Sequence, residues 1–238
     1  MTATVPALEL VDVHAGYGRI EVLHGVSFAV PSGSVFALLG ANGAGKSTTL
    51  RVVSGRTRAT SGCIHIAGTH VNGASPTALA RAGVCSIPEG RGIFPNLTVR
   101  ENLRMVTYAG GLAPREVEER AFNRFPRLSE RRQQVAGTLS GGEQQMLAMS
   151  RALSTDPALL LLDEISMGLG PLIMAELYEL VAKLASEGIA ILIVEQFARM
   201  ALAVADSAAI MAQGRIKLVG TPAVVEQELS AAYLGGAA

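Results

Sequence analysis

The stretch that most constrains this chain is Gly40-Ala41-Asn42-Gly43-Ala44-Gly45-Lys46-Ser47-Thr48. An apolar run, residues 35–39, precedes it, and a segment of helical character follows as far as Gly55. The order strand, glycine-rich loop, helix is the context in which a phosphate-binding loop works. Backbone N–H groups must converge on phosphate oxygens there, and a Cβ would obstruct the approach. Gly40, Gly43 and Gly45 remove that obstruction. A helix starting near Lys46 adds unpaired N–H groups and the positive end of its dipole. Lys46 offers a mobile ammonium to the terminal phosphates, and Ser47 a hydroxyl to a phosphate-bound Mg²⁺. Of twenty basic residues only Lys46, Lys183 and Lys217 are lysine. In an arginine-using chain, lysine at 46 points to a need for a compact ammonium.

A chain of 238 residues fits one domain with room for an inserted subdomain. Hydrophobic residues make up 49% and aromatics 4%, which suits an aliphatic α/β core. The formal charge is zero, so the global balance gives no reason to expect nucleic acid as a partner. Basic residues gather at 51–58 and 124–132, where a solvated face is the simpler reading. The longest apolar runs, such as residues 189–194, are too short to span a bilayer. The first residues carry Glu9 and Asp12 without a basic cluster, so the expectation is a cytosolic chain with no signal peptide. Cys63 and Cys85, and the histidines at 14, 24, 65 and 70, lack metal-ligand spacing.

Residues 8–13 and 21–30 read as strands joined by a flexible turn at Ala15-Gly16-Tyr17-Gly18. Residues 62–68 and 84–88 read as further strands, the second ending in Glu89-Gly90-Arg91-Gly92. From Thr98 to Leu153 the periodicity becomes helical, broken by Gly110-Gly111, Pro114 and Pro126. The α/β alternation then resumes: strand 158–162, helix 172–186, strand 189–194, and a terminal hairpin of 208–211 with 216–219 around Gln213-Gly214-Arg215. The expected division is 1–92 for core and β-subdomain, 93–153 for a helical subdomain, and 154–238 for the rest of the core and the hairpin.

Two further features carry chemistry. The strand at 158–162 delivers Asp163 and Glu164 at its carboxyl end, the edge where a parallel sheet places its ligands. The first carboxylate suits a Mg²⁺-bound water, the second the polarising of an attacking water. The run Leu139-Ser140-Gly141-Gly142-Glu143-Gln144-Gln145 opens a helix with Ser140 as N-cap and Glu143 completing a capping box. Capping does not account for two glycines in the first turn, where each costs about 1 kcal/mol. Close approach of backbone N–H groups to a phosphate would account for them. A second phosphate-binding helix start then serves another nucleotide, or one shared between two subunits.

These three features, in this order, resemble the ATP-binding subunit of an ABC transporter, and the resemblance covers essentially the whole chain. It implies a P-loop NTPase (RecA-like) α/β core, an N-terminal antiparallel β-subdomain and an inserted helical subdomain. It further implies ATP and Mg²⁺, with two subunits paired head to tail so that Ser140, Gly141, Gly142 and Glu143 of one face the P-loop of the other. By the same likeness Tyr17 stacks on adenine, where the turn alone would read as a surface tyrosine. Glu164 becomes the general base, and Asp163 and Glu89 join Ser47 around Mg²⁺.

A closer likeness lies in Pro88-Glu89-Gly90-Arg91-Gly92-Ile93-Phe94-Pro95, Phe125-Pro126-Arg127-Leu128, Val194-Glu195-Gln196 and Ala232-Tyr233-Leu234-Gly235-Gly236. These resemble an ATPase subunit of bacterial branched-chain amino acid importers, with urea or short-amide importers as the alternative. Against the wider family pattern, Glu89 replaces a glutamine, Gln196 the switch histidine, Gly170 an aspartate and Ile165 a proline. Gln196 can donate a hydrogen bond to a γ-phosphate but cannot become a cation. The implied unit is therefore an asymmetric heterodimer with a second ATPase subunit, or else a homodimer, on the inner face of the membrane with permease subunits. Phe94 is either a core residue or an anchor for the permease. A mainly ATP-gated structural subunit is the second reading. A soluble ABC protein would call for a coiled-coil insertion or second cassette, and a small-molecule kinase would leave Ser140-Gly141-Gly142 without a purpose.

Overall fold

The computed structural model describes residues 5–90, 92–109, 112–196 and 198–235. Arg91, Gly110-Gly111 and Gly236 of the motifs above lie outside the described residues. The chain begins with a hairpin, β1 (Leu8–Tyr17) and β2 (Ile20–Val30), closed by Gly18-Arg19 with Gly18 at φ 60°. The strand thus runs through the stretch expected to be a turn. Gly16 makes this possible, because a Cβ there would lie 2.1 Å from the Ile20 carbonyl oxygen; the pairing register shifts between Ala15 and Gly16. After β3 (Val35–Leu39) come α1 (Lys46–Val53), β4 (Ala59–Ile66) and the short β5 (Thr69–His70). A helix absent from the expectation, α2 (Pro76–Arg81), is capped by Ser75 and leads into β6 (Val84–Ile87).

The helical block consists of α3 (Val99–Arg104), α4 (Pro114–Arg124), α5 (Pro126–Glu130) and α6 (Gly141–Leu153). Prolines at the first helical position start α4 and α5, where a missing N–H costs nothing. Then follow β7 (Leu159–Asp163), α7 (Pro171–Ser186), β8 (Ala190–Glu195) and α8 (Ala198–Val204). The hairpin β9 (Ser207–Ala212) and β10 (Arg215–Gly220) does not end the chain's structure, because α9 (Pro222–Gly235) follows it. The six residues of α2 are too few to show a period, and α9 lacks a clear apolar stripe.

Strands β2-β1-β4-β5 form an antiparallel sheet, and β10-β9-β3-β8-β7-β6 a second one in which only β10 is antiparallel. The central strands are buried on both faces: Leu159 to Leu162 and Ala190 to Val194 are each at most 1% exposed. Alternation splits their side chains between two cores. Ala37, Leu160 and Ile193 face α7 and the helical block, whereas Leu38, Leu161 and Leu192 face α1 and the antiparallel sheet. The arginine run is engaged with carboxylates: Arg124 with Glu187, Arg127 with Glu176 and Arg131 with Glu143.

The helical block is tied to the segment after β6 by Asn102, which is fully buried. Its Oδ1 accepts from the Phe94 N–H at 2.8 Å, and its Nδ2 donates to the carbonyls of Phe94 at 2.9 Å and Thr98 at 3.1 Å. Asn102→Ala leaves the Phe94 N–H unpaired, while its carbonyl keeps the Leu97 N–H, and is expected to cost about 2–4 kcal/mol. Urea unfolding measures this; a loss below about 0.5 kcal/mol would remove Asn102 as the tie.

Candidate functional site

Parallel register sets which residues share an edge. Leu39 lies beside Glu195, Asp163 beside Val194, and Ile87 beside Leu162. The segments that leave these strands therefore emerge together: Gly40 after β3, Gln196 after β8, Glu164 after β7 and Glu89 after β6. Glu164 takes a left-handed φ of 46°, uncommon for a side chain of its size, and its N–H bonds to the Val194 carbonyl at 2.9 Å. Ile165, in the place expected for proline, is 3% exposed and packs in the same core as Leu160 and Leu162. It anchors the turn by burial rather than by ring geometry.

The loop Gly40–Thr48 is shaped from behind as well as for what it faces. A Cβ on Gly40 would stand 2.3 Å from the Met211 carbonyl oxygen, and one on Gly45 2.7 Å from Met211 Cε. Gly43, at φ 79°, faces open space. Packing against the β9 backbone thus requires Gly40, whereas Gly45, at φ 110°, and Gly43 answer to loop conformation. The turn after β9 braces the loop through Gly214 N–H to the Ala44 carbonyl at 2.8 Å. Ala41, Asn42 and Ser47 are exposed, while Ala44 and Thr48 are buried.

Lys46 is 4% exposed, and its Nζ donates to the carbonyls of Gly40 at 2.9 Å and Ala41 at 3.2 Å, with Glu164 Oε1 3.8 Å away. Ser47 Oγ donates to Asp163 Oδ1 at 3.3 Å. Burial first, then the charges of Glu164 and Glu89, push Asp163 up to about 6, against the Ser47 hydrogen bond and Lys46. Three carboxylates therefore share this edge with one lysine. The arrangement fits a divalent cation: a hydroxyl and a carboxylate oxygen are already in contact, both hard donors. Among the described residues no cluster of three His, Cys, Asp or Glu is placed to hold a metal without other ligands.

Tyr17 ends β1 with its hydroxyl 3.3 Å from Thr48 Oγ1 and its ring under the Arg51 guanidinium at 5.7 Å. It is 45% exposed, so one face is available for stacking beside the P-loop helix. Ser140 and Glu143 do not join this edge. Their hydrogen bonds close on each other: Ser140 Oγ accepts from Glu143 N–H at 3.3 Å and donates to Glu143 Oε2 at 2.8 Å, and Arg131 pairs with Glu143. The capping box expected from the sequence is present. A Cβ on Gly142 would meet Ile173 Cγ2 at 2.6 Å, so close packing of α6 on α7 already requires that glycine. Sequence reasoning missed the roles of Asn102, Arg151, Tyr178 and Glu195, the last read only within Val194-Glu195-Gln196. Arg151 donates to the Gly92 carbonyl and lies over the Phe94 ring at 4.7 Å. Only tertiary contacts reveal these four.

Comparisons with known proteins bear on the family and the fold. A family model described as ABC transporter matches residues 23–166. The high-affinity branched-chain amino acid transport ATP-binding protein BraG of Pseudomonas aeruginosa is 44% identical, over 92% of this chain and 96% of that one. The probable branched-chain amino acid transport ATP-binding protein LivF of Archaeoglobus fulgidus is 35% identical, over 90% and 92%. A crystal structure of a nucleotide-free ATP-binding cassette from an ABC transporter superposes with a TM-score of 0.84 at 27% identity, covering 94% of this chain and 95% of that one.

The raised Asp163 pKa makes a test. Between pH about 4 and about 6 the folded chain holds a proton that the unfolded chain has lost, so this group's contribution to stability falls as pH rises through that window. Without Mg²⁺ and nucleotide, Asp163→Asn should raise the melting temperature by a few degrees at pH 7, with the gain vanishing by pH 4. Thermal unfolding across pH reads this; equal curves for both proteins would contradict it.

Proposed function

The chain belongs to the ABC transporter family, and from that premise we propose that it is the ATP-binding and ATP-hydrolysing subunit of an importer for branched-chain amino acids. The observation that carries the enzymatic part is the meeting, at one sheet edge, of Lys46, the Ser47–Asp163 contact at 3.3 Å and Glu164. The substrate assignment rests on likeness to the Pseudomonas and Archaeoglobus proteins and on the motif around Glu89 to Phe94.

In this reading the N–H groups of Gly40, Ala41, Asn42, Gly43, Ala44 and Gly45, with those of Lys46, Ser47 and Thr48, cradle the phosphates. Lys46 exchanges its carbonyl partners for phosphate oxygens, and Tyr17 stacks on adenine. Ser47 and Asp163, with Glu89 alongside, would hold Mg²⁺, which supplies charge neutralisation across the phosphates. Glu164 takes a proton from the attacking water as its oxygen bonds to the γ-phosphorus and ADP leaves. Its left-handed backbone and the nearby ammonium of Lys46 keep that carboxylate facing the edge. Gln196, exposed at the end of β8, donates a hydrogen bond to the γ-phosphate without adding positive charge.

Ser140, Gly141, Gly142 and Glu143 would complete the site of a partner across a head-to-tail dimer. Because Gln196 lacks a histidine's charge, the favoured partner is a second ATPase subunit rather than another copy. No described helix is long and apolar enough to cross a membrane; the proposed place is the cytoplasmic face, held by permease subunits. Their contact is the groove of about 250 Å³ lined by Ile87, Pro88, Met105, Val106 and Arg151. Phe94, 42% exposed beside it, favours the anchor reading over the core one.

Glu164→Gln should reduce ATP turnover at least about 100-fold while ATP affinity stays within about threefold; retained turnover would remove Glu164 as the base. In the same assay Gln196→His should raise turnover by the chain on its own, and no gain would count against an intrinsically slow site. Gln196 also favours the second reading, an ATP-gated subunit with hydrolysis at the partner's site. That reading gains if Glu164→Gln leaves transport by the assembled importer unchanged.

A further inference from the structure

Directly before Gln196 lies a carboxylate that the proposed chemistry does not use. Glu195 is 1% exposed at the end of β8. Among the described residues it has no cationic partner. Its Oε1 accepts two hydrogen bonds, from the Tyr178 hydroxyl at 2.9 Å and from the Ser166 N–H at 3.2 Å. Tyr178 is itself 2% exposed, in the middle of α7. Ser166 belongs to the loop that starts with Glu164 and ends at Gly170, where α7 begins. Its hydroxyl is buried in the same network, interacting with Glu195 and Tyr178.

A carboxylate without a cation is an expensive way to fill a core, since an apolar side chain of similar volume holds the same space without desolvating a charge. Burial, and the charge of Glu164, push the Glu195 carboxyl up, against the hydrogen bonds from Tyr178 and Ser166. Here one oxygen joins three segments with different tasks. It is one residue from Gln196, which faces the nucleotide edge. It holds the N–H of the second residue after Glu164. It is pinned by a hydroxyl on α7, a helix packed in the main core. Leu169, Met167 and Leu172 lie along the same loop and helix start, the last two at 48% and 73% exposure.

We propose that Glu195 is a positioning residue that latches the loop 164–170 to the switch at Gln196, with Tyr178 as the fixed post. Arrival of a γ-phosphate at Gln196 shifts the end of β8, and Glu195 passes that shift to Ser166 and so to the exposed loop. This rests on the nucleotide reading of the P-loop and of Gln196 given above.

The test is amide deuterium exchange in the purified full-length chain, comparing Mg·ADP with the Mg·β,γ-imido analogue of ATP. In the wild type the analogue should slow exchange in peptides covering 164–170 by about fivefold relative to ADP. Tyr178→Phe keeps the ring and removes the post. It should abolish that difference while affinity for the analogue stays within about twofold. Gln196→Ala should abolish it too, and the double variant should behave like either single one. Glu195→Gln keeps an acceptor oxygen and should preserve the difference. Undiminished protection in Tyr178→Phe or in Gln196→Ala overturns the latch, as does equal exchange with both nucleotides in the wild type. Failure of the wild type to bind the analogue overturns the nucleotide reading itself, and the latch with it.

Discussion

Parallel hydrogen bonding among β3, β8, β7 and β6 puts four chain segments on one edge, and each candidate group for phosphate chemistry is carried by one of them. The register is held by strands buried on both faces, where a slip would exchange the two cores' side chains. Position at this edge therefore draws on the burial of these strands' aliphatic side chains rather than on local loop preference. Helices α1 and α7 cover the two faces and leave the edge itself open.

Charge gives that edge its direction. Burial first, and with it the charges of Glu164 and Glu89 against one lysine, raise the Asp163 pKa to about 6. A cation bound there, as proposed, would relieve the same excess. Beneath this sits Glu195, whose two donors are backbone and phenol rather than a counter-ion. The upper carboxylates are arranged for exchange with solvent species, and the lower one for holding segments of the protein. Lys46, held by two carbonyls of its own loop, is the mobile charge between them.

Glycine illustrates how one residue type serves two masters. Gly40 and Gly142 were attributed from sequence to close phosphate approach, yet each also stands where a Cβ would strike Met211 or Ile173. Packing and phosphate access make the same demand on these positions, so the sequence pattern could not separate them. The same limit applied to Gly16, which signals a turn by composition but in fact carries a strand past a close carbonyl.

The sequence by itself determined the P-loop, the Asp163-Glu164 strand end, the Ser140 capping box and the alternation that makes an α/β core. These are short-range patterns, set by spacing along the chain, by capping chemistry and by uninterrupted apolar runs. The helix at 76–81 escaped because so brief a segment carries too little periodicity, and the 14-residue helix at 222–235 because its apolar residues do not gather on one face. Tertiary structure alone decided that Ser140 lies apart from the P-loop, that Phe94 stays half exposed beside Arg151, and that Asn102, Tyr178 and Glu195 bind distant segments together. Such roles depend on strand order and on which face a side chain takes. Both are fixed only when non-local burial selects one packing from the several that the local pattern allows.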